Sequence, residues 1–117
     1  MKAKIIYIYG SDVDPVELYQ PEKSDNFGFW IEVMMGIKGQ VGEESFQICV
    51  CSPQWLIENQ SKDKIVLGLH HLIMFEYDYQ ILYAKLQKLM CIEGKDWNEI
   101  SQKLSYIGYW EFQDYKS

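Results

Sequence analysis

From Phe27 to Met35 every second residue is large and apolar: Phe27, Phe29, Ile31, Val33 and Met35 fall on one side, and Gly28, Trp30, Glu32 and Met34 on the other. Successive side chains of an extended chain point to opposite faces, so a period of two over this length demands a strand with one buried face. A lone strand covers nothing, and the buried face therefore requires a sheet with an apolar layer against it. A second strand of the same kind follows. The stretch Gly36 to Gly42 holds three glycines and reads as a hairpin connection. In Glu43 to Cys51, Phe46, Ile48 and Val50 then face one way, while Ser45, Gln47, Cys49 and Cys51 face the other.

The remaining segments are read from local chemistry. Residues 3 to 9, dominated by Ile and Tyr and ended by Gly10-Ser11-Asp12, predict a further strand. Asp12 to Asn26 is polar, carries Pro15 and Pro21, and reads as a long surface loop with room for one turn after Asp14-Pro15. Ser52-Pro53 is a helix start, because a hydroxyl can accept from a free backbone N–H and proline has no N–H to satisfy; a short helix to about Gln60 is expected, with Trp55 and Leu56 inward. Ile65 to Glu76 reads as one long or two short strands containing His70 and His71. Asp78 can cap a helix running to about Glu93, and Asp96-Trp97-Asn98-Glu99 has the form of a capping box for a helix to about Ile107. The tail Tyr109 to Tyr115 alternates aromatic and polar residues, and is expected to be extended and closed against the sheet.

The predicted order is β-β-β-α-β-α-α with an extended tail. It describes an α+β fold: an antiparallel or mixed sheet of about four to six strands, with two or three helices packed mainly on one face. Over 117 residues there is no Pro-, Gly- or Ser-rich stretch to separate two cores and no internal repeat, so one domain over residues 1–117 is expected.

Charge narrows the partners. The chain carries 17 Asp and Glu against 11 cations, all of them Lys, for a net charge of -6. Nucleic-acid and phosphate sites favour the planar fork of arginine and a basic surface, so a nucleic-acid partner is not expected, and a basic protein partner is favoured. Acidity also serves solubility alone. The imbalance is uneven: residues 1–60 hold nine acids against four lysines, and residues 61–117 hold eight against seven. The first residues are too few and too aromatic for a secretory apolar region, and nothing approaches the roughly 20 apolar residues of a membrane span, so a cytoplasmic protein without a membrane partner is expected.

Motifs for chemistry are sparse. Cys49, Cys51 and Cys91 are an odd number at spacings that fit no disulfide framework. Adjacent His70 and His71 point to opposite sides of a strand and cannot share one metal without a bulge, and one of them is expected to face solvent. Cys49 and Cys51 do share a face and can in principle grip zinc with one of the histidines. Structural zinc sites want four ligands, usually from turns, so the two thiols are expected to be small residues packed under a helix. No phosphate loop, nucleophile elbow or cysteine–histidine pair at a family spacing is present. No catalytic residue, metal or cofactor is therefore assigned.

Several stretches together resemble the immunity protein 8 family of bacterial polymorphic toxin systems. They are Asn26-Phe27-Gly28-Phe29, Gly42-Glu43-Glu44-Ser45-Phe46, Val50-Cys51-Ser52-Pro53-Gln54-Trp55-Leu56, Phe75-Glu76-Tyr77-Asp78, Trp97 and Gly108-Tyr109-Trp110-Glu111-Phe112. The resemblance implies an immunity protein that binds and neutralises a cognate toxin effector domain and needs no catalysis of its own. It supplies no contact residues.

Those come from charge and exposure. The expected toxin-binding set is the loop acids Asp12, Asp14, Glu17, Glu22 and Asp25, the strand pair Trp30 and Glu32 as aromatic anchor and neighbour, and Glu43 with Glu44 in the hairpin. Trp55, Trp97 and Trp110 are expected to be mainly structural. The competing readings are an enzyme or small-molecule-binding domain with a pocket free of motifs, marked by a cavity where titratable groups converge, and a self-associating adaptor, marked by a large two-fold apolar contact. The oligomeric state is left open.

Overall fold

The two alternating segments form the middle of the sheet. In a computed structural model of the chain, residues 1 to 112 are described, and they run β1 (Ala3–Gly10), β2 (Gly28–Ile37), β3 (Glu44–Cys51), α1 (Pro53–Gln60), β4 (His71–Ile73), α2 (Tyr79–Met90), α3 (Trp97–Leu104) and β5 (Tyr109–Trp110). Short 3-10 turns at Val16–Leu18 and Ser61–Asp63 complete the order. β1 and β3 flank β2, both antiparallel to it. β3 then receives two short strands on its other edge: β5, antiparallel, beside Phe46 and Gln47, and β4, parallel, beside Cys49 to Cys51. The sheet is thus mixed, and the fold is α+β as expected.

The period of two does what it predicts. Ile31, Val33, Met35, Phe46, Ile48 and Val50 are buried on the inner face, in one cluster with Leu82, Leu86 and Met90 of α2 and Ile100 and Leu104 of α3. The predicted caps also form, because each needs only a side chain a few residues from the orphan N–H groups. Asp78 Oδ1 accepts from the N–H of Gln80 at 2.9 Å, and Asp96 Oδ1 from that of Glu99 at 2.8 Å. The second half of the expected capping box differs: Glu99 accepts from the N–H of Lys95, not from that of Asp96.

Four expectations are corrected. The predicted strand over Ile65 to Glu76 shrinks to three residues, since His70 sits at φ 59°, in the left-handed region that no strand uses. Residues before it form an exposed loop in which Ile65 and Leu67 are 83% and 86% exposed. Trp55 and Leu56 do not enter the core; α1 buries no residue fully and lies on the outer face, with the Trp55 indole so close over Gly28 that a β-carbon there would overlap the ring. α2 stops at Met90 rather than Glu93, because the Ile92 carbonyl accepts from Ala3 N–H at 2.9 Å and the chain turns to pair with the N-terminus. α3 stops at Leu104, and Gly108 N–H returns to the Leu104 carbonyl at 3.0 Å. Of the tail, Tyr109 and Trp110 pair with β3, while residues 113–115 lie outside the described residues.

Candidate functional site

The acidic loop between β1 and β2 is pinned at several points rather than free. Val16 is fully buried in the core, and the Tyr19 ring meets Phe29 at 5.0 Å and Tyr77 at 5.3 Å, both edge to face. Tyr77 N–H donates to the Ser24 carbonyl at 2.8 Å, and its hydroxyl to the Val16 carbonyl at 3.3 Å. At the loop's start, Ser11 donates to the Trp30 carbonyl from both its N–H and its hydroxyl, at 3.0 and 3.1 Å. Apolar anchors thus hold a segment whose carboxylates, Asp12, Asp14, Glu17, Glu22 and Asp25, are all exposed. Among the described residues the ion pair found is Glu99 with Lys103, and none of these five carboxylates is in one, although Lys23 lies in the same loop.

Beside the start of this loop, Trp30 stands on the outer face, 41% exposed, with Glu32 two residues on. Glu32 accepts from the Gln47 amide of β3 at 3.1 Å, and the Trp30 ring meets His71 edge to face at 5.8 Å. Ser11, Trp30, Glu32 and Gln47 line one shallow depression. Seven of the nine predicted residues therefore belong to the loop or to the strand end it leads into.

Glu43 and Glu44 do not join them. Glu44 is level with Met35 in the sheet, five residues along β2 from Trp30, or about 16 Å at the usual strand rise. Its carboxylate is also engaged, accepting from the Trp110 indole N–H at 2.7 Å, while Glu111 accepts from Ser45 N–H at 2.8 Å; the two acids fasten β5 to β3. Trp97 and Trp110 both pack against the core through Phe46, in keeping with a structural part.

Residues that the sequence reading passed over lie on the other flank of the loop. Tyr19, Tyr77 and Tyr79, with Glu17 and Asp78, line a broad open depression of about 830 Å³. Burial pushes the Tyr77 hydroxyl up to about 12, with Tyr79, Tyr19, Asp78 and Glu17 adding to it; burial likewise raises Tyr19 and Tyr79. The depression is open, and Glu17 and Asp78 in it are both exposed. The only signal for it in the sequence was the density of tyrosine beside acids at Tyr77-Asp78-Tyr79.

The histidines separate. His70 is buried, with Nε2 2.9 Å from the Ser105 carbonyl, and holds the turn after α3. His71, half-buried rather than open to solvent, begins β4 and comes level with Cys49. Its ring nitrogen and the Sγ atoms of Cys49 and Cys51 lie within 4.8 Å of one another, and both cysteines are fully buried.

No helix among the described residues is long and apolar enough to cross a membrane. A comparison with known proteins gives no match among the curated proteins and none among the solved structures. A family model does match: the one described as Immunity protein 8, over residues 3–115. Covering nearly the whole chain, from the first residue of β1 past β5, that match shows that the protein belongs to the immunity protein 8 family, the immunity proteins of toxin systems.

Proposed function

We propose that this protein binds a cognate toxin effector domain of basic character and neutralises it by setting the 11–26 loop and the adjoining Trp30 edge against the toxin's substrate groove. One observation carries the reading: five exposed carboxylates, none of them in an ion pair among the described residues, lie on a loop that is hydrogen-bonded to the backbone of an exposed tryptophan. Spread evenly over the 7770 Å² surface, seventeen acids put only about two in a standard patch of about 800 Å². Concentrating them beside an aromatic supplies what such interfaces use, long-range attraction for the encounter and a desolvated anchor for the bound state.

The tyrosine-lined depression offers a second contact on the other flank of the loop. Three aromatic rings with the exposed Glu17 and Asp78 suit a cationic side chain of the partner, held by the rings and by charge. Glu43 and Glu44 fall outside the proposed surface, being at the far end of the sheet.

The test is survival of cells that co-express the chain with the effector domain encoded beside it, followed by calorimetry of the purified pair. Rescue with a one-to-one complex is expected. A complex whose low-salt association rate is unchanged by Asp12→Lys, Asp14→Lys and Glu17→Lys together would overturn the acidic surface. Failure of both rescue and binding would overturn direct neutralisation.

A further inference from the structure

We propose that Cys49, Cys51 and His71 form a binding site for one thiophilic d10 ion, Zn²⁺ or Cu⁺, on the outer face of the sheet beside Trp30. Topology brings the donors together: Cys49 and Cys51 are two apart on β3 and share a face, and the parallel β4 sets His71 level with Cys49. One ring nitrogen of His71 and the two Sγ atoms lie within 4.8 Å of one another. Donors on one ion at about 2.0–2.3 Å stand about 3.5–4.0 Å apart, so side-chain adjustments of under about 1.5 Å close the set.

The imidazole is prepared for this. His71 Nδ1 is 2.7 Å from the Leu69 carbonyl, which can only accept, so the ring proton is on Nδ1. Nε2 is left with a bare lone pair, buried and without a hydrogen-bond partner. A buried acceptor with no donor is costly, and a cation is what that lone pair can take. A ring held through its second nitrogen by a backbone carbonyl is also how metal-binding histidines are oriented. Two sulfurs and one imidazole exclude calcium and magnesium, which want oxygen, and select zinc or cuprous copper. On binding, both thiols release their protons to solvent. The bound ion would tie β4, a strand of three residues, to the centre of the sheet.

The full chain, stripped by chelator and kept reduced and anaerobic, is titrated with Zn²⁺ alone and with Cu⁺ alone against a chromophoric competitor. One ion per chain is expected, with a dissociation constant below about 1 μM. Thermal stability should rise with ion concentration, as it does for any ligand of the folded state. X-ray absorption should show two sulfurs and one nitrogen on the ion; an added oxygen marks the zinc arm, which completes four ligands with water, and a three-coordinate shell marks the copper arm. The 5.8 Å approach of Trp30 to His71 should give a fluorescence change on binding that Trp30→Phe diminishes.

Cys51→Ser and His71→Asn should each weaken binding by at least about 100-fold, beyond the 10- to 100-fold typical of an outer-shell partner. Cys91→Ser, whose thiol instead donates to Gln87 Oε1, should change nothing. Retention of neither ion by the wild-type chain, or equally tight binding by folded Cys51→Ser and His71→Asn, overturns the proposal. The wild-type titration and its absorption shell decide even where a variant does not fold.

Discussion

The inner and outer faces of the sheet are built from the same strands and finished in opposite ways. Inside, Ile31, Val33, Met35, Phe46, Ile48 and Val50 lie under α2 and α3 and lose all contact with water. Outside, the intervening residues Trp30, Glu32 and Gln47 keep a wet side, Cys49 and Cys51 are buried, and the short α1 sets the Trp55 ring over Gly28. Stability is thereby concentrated on one face, and the face left partly open can carry recognition at little cost to folding.

The strongest test of that division sets Phe46→Ala against Trp30→Ala. The first empties a fully buried site touched by Trp97 and Trp110, and should lower unfolding free energy by about 3–5 kcal/mol in urea. Trp30→Ala should cost under about 1 kcal/mol of stability yet about 2 kcal/mol or more of toxin affinity. Comparable losses of stability in the two variants would dissolve the distinction between the faces.

Ser52→Ala probes the seam between them. Its buried hydroxyl oxygen accepts from the N–H of Phe27, at the start of the inner row, at 3.1 Å and from that of Trp55, on the outer helix, at 3.2 Å. Losing it leaves two N–H groups without that partner, and a drop of about 1–3 kcal/mol is expected by the same denaturation assay.

A smaller effect should appear only in alkali. Tyr77 anchors the acidic loop to the core, and its folded pKa, about 12, lies above the ordinary 10. The folded state therefore holds this proton more tightly than the unfolded chain does. The resulting stability is complete below about pH 10 and is lost as pH rises toward 12. Thermal melts in that window should fall for the wild type and fall less for Tyr77→Phe. Equal slopes would mean that the loop is anchored elsewhere.

The smallest change in stability belongs to the loop charges. Asp12→Lys, Asp14→Lys and Glu17→Lys together should shift unfolding by no more than about 0.5 kcal/mol, since all three are exposed. The same triple change should slow association with the toxin about 10-fold or more at low salt and flatten its salt dependence in stopped-flow measurements.

How far the sequence could be read depends on the range of the interaction concerned. The caps at Ser52, Asp78 and Asp96 were legible because donor and acceptor lie within three residues, and the inner face because its period of two repeats over five positions. Ile65 to Leu69 misled because an apolar run without alternation looks like a buried strand whether or not a neighbour exists to pair with it. Trp55 misled in a related way: its placement depends on Gly28, a residue 27 positions earlier that lacks the side chain which would have excluded it. Of the proposed surface, the acids and Trp30 were nameable from the sequence, but not the distance along the sheet between Glu44 and Trp30, nor the tyrosines of the depression on the loop's other flank.

The sequence by itself determined the α+β class, the inner core, the helix starts and the family, since each rests on local pattern or on residues read in order. Only the tertiary structure decided which side of the sheet α1 covers, that β4 runs parallel to β3, that the acidic loop reaches Trp30, and that His71 meets Cys49 and Cys51. These are pairings between segments far apart along the chain. They are selected by how whole surfaces fit once the helices have claimed one face, and no local periodicity records that choice.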